Sequence, residues 1–180
     1  MIQLKSKREL EKMREAGRHV GEILQRLGEL AKPGVTTAEL DRVAHAEIRS
    51  RKLESSFLGY APGDNPPFPA VICASVNEEI VHGIPGGRRL VEGDLLKIDF
   101  GAICDGFHAD AAITVPIGEV DEESRRLVST TLSSLYAGVE QMAPGKRLGD
   151  VGAAVQETVE REGFSVVRDF VGHGIGRAMH

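Results

Sequence analysis

The sequence contains no tryptophan, and aromatic residues make up only 4% of its 180 positions. So small an aromatic stock leaves no basis for the stacked-base platforms that hold single-stranded nucleic acid. No apolar run approaches the roughly 18 residues needed to cross a bilayer as a helix, and the opening Met1-Ile2-Gln3-Leu4-Lys5 has no apolar signal core. Cysteine is scarce: Cys73 and Cys104 stand 31 positions apart and form no CxxC pair. A reduced, cytoplasmic setting is the expectation. An excess of basic charge is also missing, since 22 Lys and Arg face 27 Asp and Glu for a net charge of −5. Nothing global draws the chain to nucleic acid or to an anionic membrane. What is present is ordinary for a globular protein, with 41% hydrophobic and 27% charged residues, and argues against disorder. A chain of this length buries roughly two-thirds of its surface and reads as one domain or two small ones.

Local signals divide the chain into helices and strands. Ser6 with Glu9 forms a capping box. Leu10, Met13, Ala16, Val20, Ile23, Leu24 and Leu27 then recur at helical spacing up to a stop at Pro33-Gly34. Thr36 or Thr37 caps a second helix, with Leu40, Val43, Ala44 and Ile48 on one face. After a Pro/Gly-rich loop, 61–67, the stretches 70–76 and 95–103 read as strands, and 107–117 reads as the hairpin partner of the latter across Asp105-Gly106. Asp121 caps a third helix reaching Met142, a fourth runs from about Asp150 to Glu162, and Ser165 to Val171 reads as a strand. The class is α+β. Placing Pro33-Gly34 on Pro144-Gly145, an offset of 111, lays Leu40, Val43, Ala44 and Ile48 on Val151, Ala154, Val155 and Val159. The order of elements then reads as a repeat, with a first half of about 1–117 and a second half, about 118–180, that would need to run to roughly residue 228 by the same offset.

The hairpin carries the densest chemistry. Asp is disfavoured in strands, yet Asp99 and Asp110 both fall inside this one. A two-residue loop at Cys104-Asp105 sets Asp99 opposite Asp110, and one at Asp105-Gly106 sets Asp99 opposite Ala112. Either register leaves both carboxylates on one face. Two readings stand: a pair that repels unless protonated or metal-bound, or edge-strand charges facing water. His108 alternates onto the face of Asp110. His173, between Gly172 and Gly174, follows the final strand-like stretch, and His82 stands in a constrained loop before Gly83-Ile84-Pro85. His19 and His45 read as surface residues. Lys5, Lys7, Arg8, Lys12 and Arg14 are interleaved with Glu9, Glu11 and Glu15, as on a solvated helix face.

Taken in order, Ser75-Val76-Asn77-Glu78, His82-Gly83-Ile84-Pro85, Asp99, Asp105-Gly106-Phe107-His108-Ala109-Asp110, and Gly172-His173-Gly174-Ile175-Gly176 closing on Met179-His180 resemble the type I methionine aminopeptidases of bacteria. The resemblance covers essentially all 180 residues. It implies a single catalytic domain over 1–180 with the pita-bread (creatinase/aminopeptidase-like) fold, two related halves of which the second is incomplete. It implies removal of the initiator methionine when the second residue is small. It further implies two divalent metal ions, of Co, Mn, Fe or Zn, held by Asp99, Asp110 and His173. Asp110 would bridge the two ions, which together activate a shared water. By the same resemblance His82 would hydrogen-bond substrate near the scissile amide, and His180 would steady the developing oxyanion. Tyr60, Phe68, Cys73 and Met179 would wall the methionine pocket, with Phe57 standing where some members carry a smaller residue.

The pattern also departs from the family, because the two further glutamates it uses fall downstream of His180. A fragment inactive alone is therefore the expectation. Competing readings are an Xaa-Pro peptidase of the same fold and a non-catalytic binding module that keeps the fold. The expected partners are nascent polypeptide N-termini, with a transient ribosome contact as a further option and neither specific nucleic acid nor membrane. The full-length protein is expected to be a monomer.

Overall fold

The structure, a computed structural model, describes residues 3–180. It divides into two compact units. One takes the chain through Glu119 together with His173–His180, and the other is Val120–Gly172.

In the first unit α1 spans Lys7–Leu30 and α2 spans Thr37–Ser50, each opened by a complete capping box, Ser6 with Glu9 and Thr36 with Glu39. Thr36, not Thr37, is therefore the cap, and Thr37 is buried with its hydroxyl on the Gly86 carbonyl at 3.1 Å. Four strands follow: β1 (Glu54–Ser55), β2 (Ile72–Val76), β3 (Leu95–Cys104) and β4 (Phe107–Pro116). All pairs are antiparallel; β4 runs along β3 for its whole length, and β2 and β1 pair with successive stretches of β3. The two-residue β1 has no alternating pattern that a sequence could show.

Strand alternation divides the sheet chemically. Leu96, Ile98, Phe100 and Ala102 point to one face and are fully or almost fully buried against Val20, Ile23, Leu24 and Leu27 of α1. The helix lies so close that a Cβ on Gly28 would stand 3.2 Å from Ile113. The other face carries Lys97 and Asp99 of β3, His108 and Asp110 of β4, and Cys73 and Ser75 of β2. One side of the sheet thus makes the core and the other presents the polar residues.

In the second unit α3 covers Glu122–Glu140 and α4 covers Leu148–Arg161. Asp121 caps α3 through the Ser124 amide at 2.7 Å. The helix ends two residues before Met142, and α4 begins before Asp150, which accepts from the Arg147 amide at 2.7 Å. A Cβ on Gly138 would meet Val155 at 2.9 Å, so α3 and α4 pack in direct contact. Each residue of α4 stands 111 positions after its counterpart in α2. The glycines before the two helices, Gly34 and Gly145, share positive φ of 92° and 87°. The strand expected at Ser165–Val171 does not form: the stretch is irregular, and Val167, Phe170 and Val171 are exposed. A strand exists only as a member of a ladder, and this stretch pairs with none among the described residues.

Candidate active site

The site is built on the β3–β4 hairpin. Asp105 and Gly106 form its loop, with φ of 51° and 76° as a two-residue turn that twists with its strands requires. That loop selects the register in which Asp99 faces Ala112 and Asp110 faces Gly101. The two carboxyls are diagonal neighbours on one face of the hairpin. Burial, and then the neighbouring Asp110 carboxyl, push the Asp99 carboxyl well above the ordinary carboxylate range, against a smaller opposing pull from the Phe100 amide. Asp110 Oδ1 is buried with no hydrogen-bond partner. These are not water-facing edge charges.

The tail brings two histidines to the pair. His173 Nε2 lies 3.8 Å from Asp110 Oδ2, and its Nδ1 lies 3.1 Å from the Gly174 carbonyl. A carbonyl only accepts, so Nδ1 is the donor there, and Nε2 is the nitrogen that faces the carboxylates. The His180 ring lies 4.2 Å from that of His173. Its Nδ1 lies 2.9 Å from the Tyr60 hydroxyl, and the Tyr60 and His180 rings stack at 5.6 Å. Phe68 is joined to this group through its backbone, its amide donating to the Tyr60 carbonyl at 2.9 Å. Cys73 stands opposite Asp99 on β2. Burial, followed by the charges of Asp99 and Asp110, pushes its thiol up to about 12, so it is a neutral, apolar group here. Met179 is half-buried beside His180 in sequence.

His82 is placed by backbone geometry. It takes φ of 61° in the loop leaving β2. The next residue, Gly83, donates to Ser75 Oγ at 3.0 Å and accepts from the Ala74 amide at 2.8 Å. The Ser75-Val76-Asn77-Glu78 segment also secures the loop: Glu79 accepts from the Val76 amide at 2.6 Å, and Asn77 bonds Asp94 and the Leu95 amide, each at 2.8 Å.

Residues that the sequence did not single out complete the surroundings. Ser56 Oγ lies 2.9 Å from His108 Nδ1, so His108 shares the Asp110 face but is engaged by a serine. Burial holds its imidazole below the usual value. A Cβ on Gly101 would lie 2.8 Å from Phe57 and 2.9 Å from Ser56, so the glycine opposite Asp110 makes room for both. Its place between Phe100 and Ala102 in an otherwise unbroken strand was the available signal. His19 and His45, read as surface residues, are half-buried, His19 against Arg51 at 3.2 Å and His45 3.6 Å from Asp41.

Among the described residues, no three His, Cys, Asp or Glu side chains close into a finished metal cage. The donor set nonetheless fits a divalent cation. It offers two half-buried carboxyls side by side, one buried oxygen without a partner, and an imidazole nitrogen facing them.

Comparison with known proteins agrees with this chemistry. Residues 11–180 match metallopeptidase family M24. The sequence is 49% identical to the methionine aminopeptidase of Clostridium acetobutylicum, over 100% of this chain and 70% of that protein. It is 46% identical to methionine aminopeptidase 1 of Bacillus subtilis, over 100% of this chain and 71% of that one. The solved methionine aminopeptidase of Thermotoga maritima superposes with a TM-score of 0.95 at 39% identity, over 100% of this chain and 71% of the other. An Xaa-Pro dipeptidase from Bacillus anthracis shares the fold alone, with a TM-score of 0.80 at 20% identity, over 98% and 47% of the two chains. The chain belongs to metallopeptidase family M24 and, within it, to the methionine aminopeptidases. Its fold is the pita-bread fold of that family.

Proposed function

We propose that the protein removes the initiator methionine from nascent chains whose second residue is small, using divalent metal held by Asp99, Asp110 and His173. The observation that carries this reading is the half-buried Asp99–Asp110 pair, with its buried, orphaned Asp110 oxygen and His173 Nε2 turned towards it. When bound, two such ions, of Co, Mn, Fe or Zn, would polarise the scissile carbonyl and lower the pKa of water.

The other side chains follow from their chemistry. With the Tyr60 hydroxyl as donor in its contact with His180 Nδ1, Nε2–H would be a donor suited to a carbonyl oxygen that gains negative charge. His82, held by the Gly83 anchor, would reach the scissile amide. Tyr60, Phe68, Cys73 and Met179 would wall the methionine side chain, and a Cys73 kept neutral by burial does not compete as a thiolate for metal. We place the reaction in the cytoplasm, on a monomer whose first half is about 1–117 and whose second opens at about 118. No helix among the described residues is long and apolar enough to cross a membrane.

Three of the five metal-binding side chains that the family pattern implies stand in these 180 residues. The expected result is methionine release from Met-Ala-Ser by a chain extended to its relatives' length, and none by residues 1–180 alone with Co²⁺ or Mn²⁺. Turnover by residues 1–180 alone would show that three ligands suffice. Cleavage of Ala-Pro with Met-Ala-Ser left intact would overturn the substrate assignment.

A further inference from the structure

The tail His173–His180 has neither helix nor strand of its own, yet it must hold two imidazoles against a carboxylate pair. Its anchors lie between them. The Gly176 carbonyl accepts from the His108 amide at 2.8 Å, so the tail is fastened to the start of β4. Gly176 is itself buried, with the end of the Lys5 side chain lying over it. The next side chain, Arg177, turns away from the site. Its guanidinium lies 4.4 Å from the centre of the fully buried Phe107 ring. The same group donates to Glu9 Oε1 at 3.2 Å. Glu9 is itself committed: its other oxygen closes the α1 capping box on the Ser6 amide and hydroxyl, both at 2.9 Å.

Phe107 and His108 are neighbours in β4 and point to opposite faces of the sheet. Arg177 grips the tail from the core side of that strand end while the histidines work on the other. An exposed ion pair of this kind adds little stability by itself. A guanidinium held at once by a ring face and a carboxylate instead fixes where the chain runs.

We propose that Arg177 is a positioning residue: clamped between Phe107 and Glu9, it sets the path of the tail that delivers His173 and His180 to Asp99 and Asp110. The proposal rests on the metal site read above, and its test separates the two. Co²⁺ is titrated calorimetrically into the protein, and the His173 and His180 ring signals are followed by NMR in the metal-free state. Arg177→Ala is expected to move both histidine signals and to weaken Co²⁺ binding by roughly 10–100-fold, as loss of a residue that orients ligands does. Glu9→Gln is expected to act in the same direction and less strongly. Should Arg177→Ala not fold, Arg177→Lys, which keeps the charge and loses the flat stack on Phe107, is read in the same way. Unmoved histidine signals overturn the proposal whatever the Co²⁺ affinity. Moved signals in a protein that binds no Co²⁺ even as wild type uphold the clamp and sink the metal assignment alone.

Discussion

Asp110→Asn is expected to lower Co²⁺ affinity by on the order of 100-fold or more while leaving the metal-free protein at least as stable as wild type. The two effects have one cause. Asp99 and Asp110 share a face of the hairpin, and burial together with the Asp110 charge raises the Asp99 carboxyl. Without metal the second charge is a burden, and with metal it is the reason for binding. An amide keeps the shape but removes the charge that a cation needs. The pH dependence follows. A carboxyl raised on folding binds protons more tightly in the folded chain than in the unfolded one. Its charge therefore destabilises the fold, increasingly as pH rises from about 4, the unfolded value, through the raised folded value. Urea unfolding in chelator at pH 5 and pH 8 should show wild type losing stability between them and Asp110→Asn losing less. Equal Co²⁺ affinity in both proteins would remove Asp110 from the metal site.

Gly83→Ala should cost about 2–3 kcal/mol, from a close contact in a packed region and from strained or lost hydrogen bonds. An added Cβ would stand 2.5 Å from the Ala74 carbonyl oxygen and 2.9 Å from Ser75 Cα. Both are backbone atoms of β2, a strand with every residue buried, so neither can swing aside. The loop must lift, and with it go the bonds from Gly83 to Ser75 and from Ala74 to Gly83. His82 is the residue before the lifted point, so kcat/KM on Met-Ala-Ser in the extended chain should fall along with stability. An unchanged unfolding free energy would mean that the loop does not lie so tightly on β2. Full activity in a destabilised variant would detach His82 from the chemistry.

How much of this was legible in the sequence depended on how local the cause was. The α1 capping box is a contact three residues long, and Ser6, Glu9 and the apolar stripe are visible in order. The repeat offset of 111 was readable because two helices with similar faces follow two similar Pro-Gly stops, and α2 and α4 keep that offset residue for residue. The placing of Asp99 and Asp110 on one face needed only period-two alternation and a two-residue turn. The strand expected at Ser165–Val171 failed for the converse reason: β-branched composition favours extended backbone, but a ladder needs a second strand that composition cannot supply.

The sequence by itself determined the helices, the hairpin and which residue types could meet a metal, because each rests on neighbours a few positions apart. It also carried the ordered motifs that mark the family. Only the tertiary structure decided between the two hairpin registers, brought His173 to Asp110, joined Tyr60 to His180 across 120 positions and set Arg177 on Phe107 and Glu9. Those contacts depend on where the chain returns in space. Burial then makes them chemically consequential, by raising Asp99 and keeping Cys73 a thiol.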